Sequence, residues 1–434
     1  MKFLSGYIRL ICSSGTLLCL LCTSCANRPP IVEQHFVDSL YQYYIPDSLL
    51  ASNQRELVFW HDRIRPGSVD NISEAKYASA LINKFTLAGG IEDLNAADSV
   101  LRKIDTAFGH SLSGPLMSLV SLSIMHHRFS AANTFFNKAY EVGIKTYQQN
   151  ILGFDVAFES GRYSEAAVYL KRLSSFEDYN YYFRRSKYDH LKGNADSAIA
   201  DMQHALALAG SSFYLQHLAW SGLGDLSLHQ GDLRASSNAL QQAIRINPAD
   251  LHSILNLGWL ALIHDEDSLQ AEKLFRLAIT RSQLPDPYYK LYQMAQWRHD
   301  TSQAIAFAKK FEQSATAAKY ENMYCKYLIE LYATVLRQPE KAEALSYAEL
   351  GNRATPQTYA WYAYALLCNH KKDMAYQVFK QQIAGKPIEA TELYYAGKIL
   401  KAVGHGFDAA KCFDAALQSR FDLSPFMVED MQGE

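Results

Sequence analysis

Small residues return along this chain about every 34 positions, at Ala97, Ala132, Ala166, Ala198, Ser236, Ala271, Ala304, Ala344, Ala375 and Ala409. The gaps run from 31 to 40 residues and average about 34.7. Four positions later a large apolar side chain follows in eight of the ten cases, among them Leu101, Phe136, Leu240, Phe275 and Phe413. Three beyond that, a second alanine is frequent, as at Ala139, Ala243, Ala278 and Ala416. Spacings of four and three place such residues on one face of a helix. One stripe of this kind is an ordinary amphipathic helix, but ten in register are not, and this period marks stacked helix–turn–helix units. The pattern predicts an all-α solenoid of about ten repeats over residues 74–424.

The clearest unit runs from Ala219 to Pro248. Trp220, Leu223, Gly224, Gly231, Ser236, Leu240, Ala243 and Pro248 stand in it at the spacing of the tetratricopeptide repeat, which it resembles closely. Gly224 and Ser236 are expected to let the two helices of the unit approach, with Trp220, Leu223 and Leu240 filling the space around them. Gly231-Asp232 ends the first helix and caps the second, and Pro248 stops the second. Leu257-Gly258-Trp259 opens the next unit, and Gly397, Ala409, Phe413 and Ala416 mark the last good one. The resemblance implies a right-handed α-solenoid. Gaps of 38 and 40 residues before Ser236 and Ala344 predict longer helices or loops there. Segment 55–73 is read as a capping helix, 25–54 as a tether with one short helix over 36–43, and 425–434 as a tail.

Residues 1–24 read as a processing signal. Lys2 and Arg9 precede an apolar stretch, Leu10–Cys22, too short to span a bilayer, which needs about 20 residues. Thr23 and Ser24 then lead into Cys25, so the segment resembles a bacterial lipoprotein signal, with Cys25 as the acylated first mature residue and Cys22 where leucine is commonest. The following Ala26-Asn27-Arg28-Pro29-Pro30 lacks an acidic run, which for such lipoproteins points to the periplasmic side of the outer membrane. Four of the seven cysteines lie in this signal and at Cys25 directly after it; Cys325, Cys368 and Cys412 are too far apart for a CxxC site and read as buried small residues.

Charge adds an exclusion. The chain has 42 basic and 44 acidic residues, and loss of Lys2 and Arg9 with the signal lowers its net charge from −2 to −4. No basic face suited to nucleic acid follows from that balance. The sequence contains no GxSxG, HExxH, GxxxxGK[ST] or GxGxxG pattern, so neither an enzyme, a metal site nor a cofactor is expected. His190, His229, His299 and His405 fall at helix ends and read as polar turns, and Asp265-Glu266-Asp267 as a solvated turn.

Among the 28 tyrosines, Tyr289, Tyr292, Tyr359, Tyr362, Tyr364, Tyr394 and Tyr395 lie in first helices of late units. In the repeat family which this chain resembles, first helices line a concave groove. Carrying over its inward positions selects Phe183, Lys187, His190, Asp225, Tyr289, Gln293, Gln296, Tyr364, Tyr394, Lys398 and Lys401 as groove residues. Aromatic and amide side chains suit a peptide surface, although the same tyrosines could equally be packing residues. The Lys/Asn/Arg carboxylate clamp of chaperone-binding members is missing. The resemblance therefore implies a lipid-anchored scaffold for another envelope protein, in assembly of an outer-membrane or surface complex. The alternative is a glycan- or small-ligand-binding lipoprotein of nutrient uptake, but such proteins carry long insertions, for which gaps of 31–40 residues leave no room.

Overall fold

The computed structural model describes residues 29–43, 46–317 and 320–433; Cys25 and the signal lie outside the described residues. Two helices, α1 (Gln34–Tyr43) and α2 (Pro46–His61), precede ten helical pairs. The pairs are α3/α4 (Ser73–Ala88, Ile91–Ala107), α5/α6 (Ser113–Met125, Phe129–Val142), α7/α8 (Thr146–Glu159, Tyr163–Leu173), α9/α10 (Tyr179–Leu191, Ala195–Leu208) and α11/α12 (Phe213–Gln230, Leu233–Ile246). They continue as α13/α14 (Leu251–Ile263, Ser268–Arg281), α15/α16 (Asp286–Trp297, Thr301–Ala317), α17/α18 (Cys325–Ala333, Pro339–Asn352), α19/α20 (Pro356–Cys368, Lys372–Val378) and α21/α22 (Ala390–Ala402, Gly406–Gln418). A last helix, α23 (Pro425–Gln432), follows. The two helices of each pair pack on one another and nearly every pair packs on the next, which is the all-α solenoid expected.

The repeated small residues sit where two helices of one unit touch. Nine of the ten are at most 4% exposed. Facing them across the unit are glycines with no room for a side chain. A Cβ on Gly224 would lie 2.6 Å from Leu240, on Gly258 2.6 Å from Phe275, and on Gly397 2.3 Å from Phe413. In the turn between α11 and α12, Gly231 adopts a left-handed φ of 83° and the Asp232 carboxylate accepts from the Ala235 N–H. One position is corrected. Ala344 is exposed, while Ala342 and Ser346 are fully buried in α18, so the register of this unit is two residues earlier. The longer gaps are absorbed by α11, at 18 residues the longest of the helices, and by the 17-residue α16 with a 3-10 turn, Glu321–Tyr324, ahead of α17.

The ends of the array depart from the sequence reading. The capping helix α2 begins at Pro46, earlier than 55, and its buried Asn53 donates to the Ala80 carbonyl of α3. Residues 31–43 are strapped to the solenoid. The Asp265 carboxylate, only 3% exposed rather than solvated, accepts from the backbone N–H groups of Ile31 and Val32 at 2.9 and 3.0 Å. Ser237 and Gln270 donate to the carbonyls of the same two residues, and Val37 is fully buried beside them. The tail is α23, with Met427 and Met431 buried.

The coil also closes on itself. Arg128 pairs with Glu321, Asn352 donates to the His127 carbonyl, the Gln283 N–H donates to Ala88, and His229 pairs with Asp422. Two of these contacts span 193 residues, or about 5.6 repeats of about 34.7 residues. A Cβ on Gly161 would meet Thr355 at 2.8 Å, one residue off the same offset. Successive superhelical turns therefore touch, and the concave face becomes an interior.

Candidate functional site

First helices line that interior. A cavity of about 600 Å³ lies between α7, α9 and α11 on one side and α17, α19 and α21 on the other. The first set contributes Glu159, Phe183, Lys187, His190, Asp225 and His229; the second contributes Lys326, Trp361, Glu389 and Glu392, with Arg353 from the turn before α19. A smaller space of about 250 Å³ shares Asp225, His229, Lys326 and Glu389 with it and adds His252, Trp259, Lys290 and Gln293 from α13 and α15.

Charge in this cavity is mixed and largely internally compensated. Lys187 bonds Glu159 at 3.0 Å; burial works against both charges, and their mutual attraction outweighs it, holding the lysine above and the carboxyl below its ordinary value. The Asp225 carboxylate, 2.8 Å from His252, pushes that imidazole up to about 9. Burial pushes His229 down, but its bond to Asp422 wins and raises it, whereas the adjacent His190, ring centroids 4.9 Å apart, is lowered by burial and by His229. Lys290 lies 4.5 Å over the Trp259 ring, and burial pulls its ammonium down to about 8 against the attraction of Asp422, Asp225 and Asp286.

Several acceptors in the cavity walls are buried without a hydrogen-bond partner. Glu392 accepts from the Trp361 indole at 2.7 Å through one oxygen; its other oxygen, fully buried, has no partner. Gln293 Oε1 and Gln357 Oε1 are likewise buried without one. The Lys326 ammonium stands 3.8 Å from Glu392, and Glu389 is exposed into the cavity. Such a lining can bind a ligand that both donates and accepts hydrogen bonds and offers apolar area to Phe183. Among the described residues no group of three His, Cys, Asp or Glu is placed to hold a metal.

The eleven sequence-selected groove residues divide. Phe183, Lys187, His190 and Asp225 line the main cavity and Gln293 its extension. Tyr289, Tyr364 and Tyr394 are 8%, 6% and 1% exposed, so these aromatics pack between units rather than present a surface. Tyr289 donates to the buried Glu330 at 2.8 Å and packs on Tyr327, while Tyr364 stacks on Tyr395 at 4.1 Å. Gln296 lines a separate cavity beside α23, with Tyr364 at its edge. Tyr394 and Lys398 hold Asp430 of α23; Lys401 is exposed on α21. Sequence reasoning missed His229 as a lining residue, and Lys326, Arg353, Trp361, Glu389 and Glu392 altogether. Only the return of the chain after 193 residues brings the latter group opposite α9 and α11. Of the cysteines, Cys325 is buried while Cys368 and Cys412 are partly exposed.

No family model matches the chain, and comparison with curated proteins finds no match. Similar solved structures include the human IFIT1 dimer with PPP-AAAA (12% identity, 80% of each chain covered, TM-score 0.48) and with m7Gppp-AAAA (14% identity, 88% of this chain and 80% of that one, TM-score 0.46). Yeast Tom70 also matches, at 12% identity over 92% of this chain and 99% of that chain, with a TM-score of 0.35.

Proposed function

We propose that this protein is a lipid-anchored scaffold of the bacterial cell envelope that holds a short extended segment of another protein in its axial cavity. The supporting observation is the cavity itself, lined from both superhelical turns and carrying unpaired acceptors (Glu392 Oε2, Gln293 Oε1) beside the Lys290 and Lys326 ammonium groups. The alternating N–H and C=O groups of a peptide complement such a lining. Because each cation has a carboxylate close by, the cavity offers no one-signed field for a polyphosphate. In this reading acylated Cys25 anchors the chain on the periplasmic side of the outer membrane. Ile31, which is strapped to the solenoid, is six residue steps beyond Cys25, so the lipid is held within about 21 Å of the α13–α14 turn, at about 3.5 Å per step.

Affinity capture of the intact lipoprotein from membranes with crosslinking tests the reading. Crosslinked partner peptides should map to α9, α11 and α21, and Lys187→Glu with Asp225→Lys should abolish capture while helicity is retained. Capture unchanged in that variant overturns the proposal. The mixed donors and acceptors of the lining, with Phe183 among them, also suit a hydroxyl-rich ligand, the second reading; saturable binding of one oligosaccharide on a glycan array would favour it.

A further inference from the structure

The turns between the two helices of each pair stand along one rim of the coil, and the loops between pairs stand along the other. At the seam, turns of the first five pairs meet loops of the last five, as Gly89 meets Ser282 and Gly231 meets Phe421. One residue of every turn, two before the second helix, has a left-handed φ. In the first five pairs it is Gly89, His127, Gly161, Gly193 and Gly231. The overlying loops come so near that a Cβ on Gly89 would lie 2.3 Å from Ser282 Oγ. In the last five pairs it is Glu266, His299, Arg337, His370 and Gly404. Side chains other than glycine hold that conformation at a cost, and the four here are exposed. Among the described residues no further helical pair lies over these turns.

This free rim is not uniformly polar. Leu269, Met374 and Phe407, each in the first turn of a second helix, are 73%, 53% and 76% exposed. Cations flank two of them: Lys372 is exposed beside Met374, and the Lys411 ammonium lies 4.1 Å from the centre of the Phe407 ring. The N-terminal arm reaches the same rim, because Asp265, four residues before Leu269, holds Ile31 and Val32. We propose that the rim formed by the α13–α14, α19–α20 and α21–α22 turns rests on the surface of a lipid bilayer, with Leu269, Met374 and Phe407 entering the headgroup region. The inference rests on acylation of Cys25, which holds a lipid within about 21 Å of the first of these turns, and adds the face that the solenoid turns to the membrane. Apolar side chains beside lysines, whose stems lie along them and whose ammonium groups meet phosphates, fit such an interface. Contacts on three separate turns fix the tilt of the solenoid, which a lipid tether alone leaves free. The opposite rim, with Phe176, Phe213 and Tyr214 exposed, then faces away from the bilayer.

The test uses the full lipoprotein in vesicles of phosphatidylethanolamine and phosphatidylglycerol that contain a photoactivatable phospholipid. Crosslinks should map to the first residues of α14, α20 and α22, and not to the rim of Phe176, Phe213 and Tyr214. Leu269→Glu with Met374→Glu and Phe407→Glu should lower crosslinking of the rim at least fivefold, while the acyl chain keeps the protein in the vesicles. Should the triple variant misfold, each single variant should lose the crosslinks of its own turn alone. Absence of rim crosslinks, equal crosslinking of both rims, or a rim signal unchanged by these substitutions overturns the proposal. The anchor reading fails separately, by a mass spectrum of the mature chain without acyl groups. In that case the unmodified chain added to excess vesicles reads the rim directly, through the same crosslinks and the same variants.

Discussion

Arg128 and Glu321, 193 residues apart, meet in a two-pronged ion pair at the seam where one superhelical turn touches the next. Arg128 is 17% and Glu321 45% exposed, so the pair is partly screened and is expected to contribute about 0.5–1 kcal/mol. Glu321→Arg should lower stability by that amount, and Arg128→Glu with Glu321→Arg should restore most of it. A double-mutant cycle by urea denaturation with no coupling between the sites would remove the pair from the seam.

The corrected register in α18 makes a paired prediction. Ala342→Leu forces extra methylenes into the contact between α17 and α18 and should cost about 1–3 kcal/mol. Ala344→Leu, on the exposed side, should stay within about 0.5 kcal/mol of wild type. Ala409→Leu in α22, where the alanine is 2% exposed, should resemble the first. Melting temperatures that rank Ala344→Leu below Ala342→Leu would restore the original register.

Glu330 is buried beneath Tyr289, and burial raises its carboxyl from 4.5 to about 7, opposed by the Tyr289 hydroxyl and Lys326. The folded state thus binds the proton more tightly than the unfolded one. The stabilising contribution is complete below pH 4.5 and is lost as pH rises through about 7, by at most about 3 kcal/mol. Glu330→Gln keeps an acceptor for Tyr289 and should flatten that part of the stability curve. Parallel wild-type and variant slopes between pH 4.5 and 7 in urea titrations would contradict the assignment.

Asp265 holds the N-terminal arm through two backbone N–H groups. Asp265→Ala leaves both without their charged acceptor and should cost about 1–3 kcal/mol. Limited proteolysis should then cut around residues 29–33 well before wild type, with the solenoid core intact. Equal protection in the two proteins would show that Phe36 and Val37 alone retain the arm.

Cys25→Ser should leave an unprocessed precursor or shift the protein to the soluble fraction. Unchanged size and membrane fractionation would refute acylation at this residue.

Much of the repeat unit could be read directly because its contacts are local. Ser236, Gly224 and Leu240 meet within one helical hairpin, so their spacing along the chain is already their geometry. Phe183, Lys187, His190 and Asp225 share the lining of one cavity because they stand at repeating positions of α9 and α11. The failure at Ala344 has its own cause. Two alanines two residues apart both suit the motif in composition, and only the packing of α17 on α18 distinguishes the buried one.

What the sequence by itself determined is therefore the helix–turn–helix period and, in nine of the ten units, the small-residue contact inside the unit. Tertiary structure decided what the inner side of the first helices faces. A small rotation per repeat, summed over about 5.6 units, brings Glu392 opposite Lys187 and seals a groove into a cavity. The same curvature carries α23 back onto Tyr394 and Lys398 and closes Tyr289 and Tyr364 into the core. Rotations of that size are set by the summed packing of side chains between neighbouring units, and no periodicity in a single chain records them.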